Sequence, residues 1–159
     1  MEKPKKTLAV IMQRRTSNNR WQSVVWEPWA VLESGESPGG PRLLVQQPDA
    51  EQWLHPGFEL VIHRDETEGY YLNVSSGSPR IFVLWRMDEE NEKAIPLQVT
   101  ASYYEGGRWL DGGNSVDGVT MSPSIFAWVG EYVEKNYRPE PKKRIKPRSF
   151  IHPKDRVGG

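Results

Sequence analysis

The stretch FELVIHRDETEGYYLN, Phe58–Asn73, decides the fold because an apolar segment passes directly into a polar one. Phe58–His63 is short, apolar and β-branched, which predicts a strand. Asp65–Ser75 carries apolar side chains three and four positions apart, a spacing typical of a helix that packs by one face. The sequence therefore predicts a core strand followed at once by a short helix.

Four side chains at this junction are candidates for function: His63, Arg64, Glu66 and Glu68. A histidine beside carboxylates can serve acid–base chemistry, because imidazole titrates near neutral pH. A histidine at a strand end is more often a structural hydrogen-bonding group. The second interpretation is favoured, and it predicts that Arg64 pairs with a neighbouring or facing carboxylate and buttresses the junction. No metal site is expected, since too few nitrogen and sulfur ligands are present.

The rest of the chain supplies further strands and one long helix. Alternating or continuous apolar residues with many β-branched and aromatic side chains predict the strands. A serine cap, a proline at the first helical position and an apolar stripe predict the helix. The strands are predicted at Thr7–Gln13, Trp21–Leu32, Arg42–Gln47, Arg80–Met87 and Ile95–Tyr104, and the helix at Ser122–Tyr137.

Pro28 interrupts the second of these strands. Proline lacks the N–H that a sheet ladder needs, so it is expected on an edge strand or at a bulge. A bulge would change which face each side chain occupies, and would let Trp26 and Trp29 both point inward. Core packing is the favoured role for these rings. The alternative is a ligand pocket lined by Trp26, Trp29, Tyr70 and Tyr71.

Two connections lack a clear periodic pattern. Pro48–Gly57 is predicted to be a connection, with one possible helical turn near Asp49. Glu105–Gly118 contains five glycines in fourteen residues and is predicted to be a mobile loop. It has neither the lysine nor the glycine spacing of a phosphate-binding loop.

The net charge of zero conceals a separation of charge along the chain. Residues 1–20 have a net charge of +5, residues 139–159 also have +5, and residues 21–138 have −10. We expect a disordered basic N-terminus at 1–6, a single domain at 7–138 and a basic, proline-rich tail at 139–159. The tail's candidate contacts are Lys142, Lys143, Arg144, Lys146 and Arg148.

Several classes of protein are disfavoured by composition. The chain has no cysteine, which excludes disulfides and thiolate metal sites. No segment approaches the roughly 20 apolar residues of a membrane-spanning helix, so a cytoplasmic location is expected. No nucleophile motif is recognisable, so the chain is not expected to be an enzyme, and no cofactor is expected.

Separate blocks of residues resemble a bacterial family, the domain of unknown function 3305 family, whose genes often neighbour formate dehydrogenase genes. The resemblance covers roughly residues 8–146. Arg14 and Arg15 belong to its first block, which makes them candidates for a partner-binding or structural role. The blocks are Met12–Arg15 with Trp21, Trp26, Pro28 and Ala30–Leu32; Leu60, His63–Arg64, Glu66–Glu68, Tyr70 and Asn73; Val99–Thr100, Ser102 and Tyr104–Glu105; Trp128–Val129 and Val133–Glu134; and Pro139–Glu140.

Residues and resemblance together lead to one expectation. The fold is expected to be α+β, with a curved antiparallel sheet of about six strands, resembling a barrel or half-barrel. The C-terminal helix packs on this sheet, and a shorter helix follows the central strand. The resemblance implies a non-enzymatic accessory protein that helps assemble or mature a molybdenum-dependent formate dehydrogenase, by binding one of its subunits or maturation factors. The alternatives are a small-ligand or cofactor-binding module and a nucleic-acid binder that uses the basic tail.

Overall fold

The structure is a computed structural model, and it describes residues 3–34 and 39–139. These residues form seven strands and three helices. In chain order they are β1 (Lys5–Thr16), β2 (Val24–Glu33), β3 (Arg42–Gln47), β4 (Ala50–Val61), α1 (Thr67–Val74), β5 (Arg80–Asp88), β6 (Lys93–Thr100), α2 (Tyr103–Asp111), β7 (Ser115–Thr120) and α3 (Pro123–Asn136). A single 3₁₀ turn, Arg64–Glu66, precedes α1.

The strands form two antiparallel sheets. The first has four strands in the order β2-β1-β4-β3, and the second has three in the order β6-β5-β7. β2 contacts β7 and β4 contacts β6, so the two sheets lie against each other without closing into a barrel. The predicted α+β class with curved antiparallel sheets is confirmed, although the strands number seven and divide between two sheets.

The main core lies between these sheets and two of the helices. Alternate residues of β1 face it, and α3 contributes an apolar stripe at helical spacing. Tyr70 on α1 packs edge-on against Tyr132 on α3, with their ring centroids 6.3 Å apart. The fully buried members of this core include Leu8, Val10, Met12, Leu60, Ile62, Tyr70, Ile81, Val83, Ile125 and Val129.

The helix predicted at Ser122–Tyr137 is confirmed as α3. The Ser122 side chain accepts a hydrogen bond from the N–H of Ile125 at 3.2 Å, and Pro123 occupies the first turn. The helix predicted at Asp65–Ser75 is confirmed as α1 with its preceding 3₁₀ turn. α3 is specified by signals at its own N-terminus, whereas α1 has no side-chain cap there.

Pro28 does lie at a bulge on an edge strand. β2 is at the edge of its sheet, and its register against β1 shifts so that Ile11 pairs with Ala30 and Met12 with Pro28. Trp29 is the extra residue, and it is 52% exposed. The expectation that Trp29 points inward is therefore wrong, because the unpaired residue of the bulge turns toward solvent. Trp26 does pack against the core.

Three other predictions from the sequence are wrong. The predicted connection Pro48–Gly57 is mostly strand, because β4 continues through Pro56 and Gly57 and accommodates them where its register against β1 shifts. The predicted loop Glu105–Gly118 contains most of α2 and the start of β7. Lys5 and Lys6, within the predicted disordered N-terminus, are paired in β1 with Val61 and Leu60.

Candidate functional site

Tyr70 ties the end of β4 to α1. Its hydroxyl accepts a hydrogen bond from the backbone N–H of His63 at 2.7 Å and lies 3.4 Å from the carbonyl of Val61. Burial raises the pKa of Tyr70 above its usual range, with smaller contributions from nearby carboxylates. The phenol therefore stays protonated and acts as a fixed link at the strand-to-helix junction.

Asn73 holds the other end of α1. It is 2% exposed, and its side-chain amide donates to the carbonyls of Arg80 at 2.7 Å and Ala101 at 2.8 Å. Its side-chain oxygen accepts from the backbone N–H of Arg80 at 3.0 Å. Three bonds from one buried side chain thus join α1 to the start of β5 and to the segment after β6.

A third set of contacts, which we call the Glu66 cluster, comprises Glu66, Thr100, Ser102, Glu105 and Arg108. One carboxylate oxygen of Glu66 accepts a short hydrogen bond from the Ser102 hydroxyl, and the other lies 2.5 Å from a guanidinium nitrogen of Arg108. Thr100 donates its hydroxyl proton to Glu105 at 2.6 Å. The ion pair with Glu66 raises the pKa of Arg108. The cluster fastens the start of α2 to the start of α1.

Two glycines allow these helices to approach so closely. A β-carbon at Gly69 would lie 2.2 Å from the Ser102 hydroxyl oxygen, and one at Gly106 would lie 3.0 Å from the ring of Phe82. Any larger side chain at either position would displace its neighbour. Gly106, one of the glycines that suggested a loop, instead permits close packing of α2 on β5, and Gly69 permits the close approach of α1 to Ser102.

The structure separates the four candidate residues of the junction. Glu66 points into the cluster, whereas Arg64 is exposed and makes no salt bridge within residues 3–34 and 39–139. The expectation that Arg64 pairs with a carboxylate is therefore wrong, because Arg108 takes that position. The contact of His63 is with Lys3, whose ammonium nitrogen lies 3.1 Å from the imidazole Nδ1. Glu68 lines an open cavity.

Arg14 and Arg15 belong to a different part of the molecule. Their guanidinium nitrogens lie 3.3 Å from a carboxylate oxygen of Glu51 and 2.8 Å from one of Glu27, respectively. These contacts bridge β1 to its two neighbouring strands. Arg14 lies nine residues along β1 from Lys5, which corresponds to roughly 30 Å of extended strand, and the contact with His63 is made by Lys3, before that strand begins. Arg14 and Arg15 therefore stabilise the pairing of β1 with its neighbouring strands and have no part in the junction between β4 and α1.

The four aromatic residues considered for a pocket do not share one environment. Trp26 packs on the core, Trp29 faces solvent at the bulge and Tyr70 is fully buried. Tyr71 stacks on Tyr137, with ring centroids 4.4 Å apart and an angle of 11° between planes. Of the two tyrosines near the junction, Tyr70 contacts the backbone of His63 from the buried side, whereas Tyr71 is exposed.

An open cavity of about 710 Å³ lies beside this stacked pair. Arg64, Glu68, Tyr137 and Arg138 contribute to its wall. Partial burial, followed by the negative charge of Glu68, raises the pKa of Tyr137 and also that of Tyr104. The rings and charged groups thus form one exposed surface, which we call the Arg64 face: Arg64, Glu68, Tyr71, Tyr104 and Tyr137.

Sequence reasoning missed Ser102, Glu105 and Arg108. The signal for the first two was present, since a serine followed three residues later by glutamate is typical of a helix start. Ser102 does cap α2, accepting from the N–H of Glu105 at 3.1 Å. The basic tail residues Lys142, Lys143, Arg144, Lys146 and Arg148 lie outside the described residues.

In the described part of the chain, no group of three or more histidine, aspartate or glutamate side chains is arranged to hold a metal ion. None of the described helices combines the length and the apolar character that crossing a membrane requires.

Comparison with known proteins gives one family. No curated protein and no solved structure shows significant similarity to the chain. The sequence profile of a family described as "Protein of unknown function (DUF3305)" matches residues 7–146, which is most of the chain. The two blocks that carry the resemblance near His63 and near Ser102 are brought together by the Glu66 cluster. The chain therefore belongs to the DUF3305 family of proteins of unknown function.

Proposed function

We propose that this protein is a non-enzymatic accessory factor that acts by binding a partner protein in the cytoplasm. The observation that carries the proposal is the Arg64 face. It combines an exposed arginine with Tyr137 in the wall of a cavity of about 710 Å³, and Tyr71 stacks on that tyrosine. Arginine and tyrosine are enriched at protein–protein interfaces, because both combine large contact area with polar groups.

The chemistry of the Glu66 cluster supports a role without catalysis. Its serine, threonine and carboxylate side chains hydrogen-bond to one another and to helix N–H groups. Ser102 is completely buried, so its hydroxyl is not accessible to a substrate. A nucleophile needs a base within reach and an open approach. Here the carboxylate beside the serine also serves the Arg108 ion pair, which suits a structural link.

The proposed partner is a subunit of a molybdenum-dependent formate dehydrogenase, or one of the factors that mature it. Support for this identity comes from the resemblance, because genes of this family often neighbour formate dehydrogenase genes. An assembly factor needs an exposed recognition surface and no active site of its own. The Arg64 face meets the first requirement.

Affinity purification from native cells followed by mass spectrometry tests this proposal. Formate dehydrogenase subunits or maturation factors should co-purify with the wild-type chain and be depleted with a Tyr71→Ser/Tyr104→Ser variant. A Trp29→Ser variant is the matched control, since it removes an exposed ring from a distant strand. Absence of these proteins from the wild-type sample, with normal formate dehydrogenase activity in a deletion strain, would contradict the proposal.

A further inference from the structure

β3 lies at an open edge of the four-stranded sheet. β2, at the opposite edge of that sheet, contacts β7, and β6 of the second sheet contacts β4. β3 pairs with β4 along one side, and in the described part of the chain no strand pairs with its other side. The backbone N–H and C=O groups along that side can therefore pair with a further strand.

The side chains of β3 leave both of its faces apolar and exposed. Five of its six residues are exposed and the sixth, Val45, is half-buried. Leu43 is 40% exposed and Leu44 is 47% exposed. Edge strands that stay unpaired usually carry charges, prolines or bulges, whereas β3 has only Arg42 at its first position and the register shift between Leu43 and Val45. This composition is typical of a strand that pairs along both sides.

Two charged residues flank the apolar part of this strand. Arg42 begins it, Asp49 lies in the turn that follows it, and neither forms a salt bridge with another described residue. In an antiparallel pairing of two copies about a two-fold axis between Leu44 and Val45, Arg42 of one copy stands opposite Gln47 of the other. Each Arg42 then lies beside the turn that carries the second copy's Asp49. The symmetry produces this contact of opposite charges twice.

Repulsion between like charges does not oppose this pairing. The two Arg42 side chains would be five residue steps apart, roughly 17 Å, which is about twice the Debye length at physiological ionic strength. Glu51, the carboxylate in the part of β4 that pairs with β3, lies 3.3 Å from a guanidinium nitrogen of Arg14. The negative charge of residues 21–138 is therefore compensated at this edge, and the whole chain has a net charge of zero.

We propose that β3 pairs with β3 of a second copy of this chain, antiparallel and about a two-fold axis. The two four-stranded sheets then form one continuous sheet across the dimer. Such a contact is self-complementary and closes as a dimer, because the same surface serves both copies. β3 pairs with residues 50–54, the half of β4 farther from His63, so the pairing leaves the Arg64 face uncovered. This inference goes beyond the proposed function and does not rest on it.

Analytical ultracentrifugation of the full chain over a range of concentrations tests the dimer. The mass of the wild type should rise from that of one chain toward twice that value as the concentration increases. Leu44→Lys should weaken the dimer by about tenfold or more, because it places an ammonium group at the paired edge. Leu97→Lys is the matched control, since it makes the same change at a leucine of β6 that is 40% exposed. It should change the dissociation constant by less than about twofold.

A charge exchange tests which residues meet across the axis. Arg42→Glu and Asp49→Lys should each weaken self-association by about threefold or more, because each variant places like charges at both contacts. An equimolar mixture of the two variants should form a heterodimer with nearly the wild-type affinity, since both contacts then join opposite charges. Mixing cannot restore a loss that is caused by misfolding, so this rescue identifies a contact between copies.

Several results would overturn the inference. They are a wild type that stays monomeric at every concentration, equal losses in Leu44→Lys and Leu97→Lys, and a mixture of the charge variants that associates no better than either alone. Hydrogen exchange detects a competing occupant. If the β3 amides become protected only when another protein is bound, the edge takes a strand from that protein instead. The proposed function is tested separately, because partner capture through the Arg64 face should survive Leu44→Lys.

Discussion

The carboxylate of Glu66 accepts a hydrogen bond from the hydroxyl of Ser102, which lies 36 residues later in the chain. Ser102 at the same time caps α2 by accepting from the N–H of Glu105. The side chain that begins one helix is thus bonded to the side chain that begins another. This contact explains how a segment rich in charge and hydroxyl groups lies against the core.

Replacing Glu66 tests how much stability this contact provides. Glu66→Ala should lower the free energy of unfolding by about 2–3 kcal/mol, because the buried Ser102 hydroxyl loses its acceptor. Arg108→Ala should cost clearly less than Glu66→Ala, since that guanidinium is exposed to solvent. Urea unfolding monitored by circular dichroism measures both. Glu66→Gln keeps an acceptor for Ser102 and should resemble Arg108→Ala. A cost for Glu66→Ala no greater than that of Arg108→Ala would show that the serine contact contributes little.

A methyl group at Gly69 should be strongly destabilising. Its β-carbon would lie 2.2 Å from the Ser102 hydroxyl oxygen, so we expect Gly69→Ala to lower the free energy of unfolding by about 2–4 kcal/mol. Thermal and urea unfolding provide the measurement. Gly130→Ala is the matched control, because nothing lies within 4 Å of the added carbon in α3. This control should stabilise the protein by about 0.5–1 kcal/mol, because alanine favours a helix more than glycine does.

A Gly69→Ala/Ser102→Gly double variant tests whether the clash with the Ser102 side chain causes the loss of stability in Gly69→Ala. Removing the serine side chain removes the closest clash, so the second change should cost less in the Gly69→Ala background than in the wild type. Additive costs would indicate that Gly69 is required for a reason other than its contact with Ser102.

Local signals were sufficient to predict several elements of the fold. In α3 the cap, the proline and the stripe of Ile125, Val129 and Val133 all lie within the helix itself. β5 follows from its run of β-branched and aromatic residues, which are apolar on both faces because Ile81 and Val83 face the core and Phe82 packs against α2. Local residue types and spacings favour the helical or extended state of these elements. Tertiary contacts then stabilise the same state.

The elements that were missed depend on contacts with distant residues. α2 contains adjacent glycines, which lower helix propensity, and Gly106 is compatible with the helix because its face packs on Phe82. β4 continues past Pro56 because the shift in its register against β1 accommodates the proline. The identity of Arg108 as the partner of Glu66, rather than Arg64, depends on a separation of 42 residues. Spacing along the chain contains no information about such a pairing.

The stack of Tyr71 on Tyr137 should contribute a measurable coupling energy. In a double-mutant cycle with Tyr71→Ala and Tyr137→Ala, the double variant is expected to lose about 0.5–1.5 kcal/mol less than the sum of the two single losses, as found for aromatic pairs in contact. Urea unfolding of the wild type, the two single variants and the double variant gives the four free energies of unfolding that the cycle needs. Tyr71→Ala with Trp29→Ala forms the control cycle, which should be additive. Additivity in both cycles would show that Tyr137 is held by its backbone alone.

His55 should make the protein less stable in mild acid. It lies on β4 opposite Val10, and burial, followed by the positive charge of Lys93, lowers its pKa to about 4. Since the unfolded imidazole titrates near 6.5, the unfolded chain binds more protons between pH 6.5 and pH 4, and stability falls as the pH is lowered through that window. We expect His55 to contribute about 2 kcal/mol to this loss, after allowing for its partial exposure. Urea unfolding at several pH values should show a smaller loss for His55→Gln than for the wild type. Lys93→Gln should raise the imidazole pKa observed by NMR, because it removes the nearby positive charge. Identical pH profiles for wild type and His55→Gln would exclude His55 as the cause.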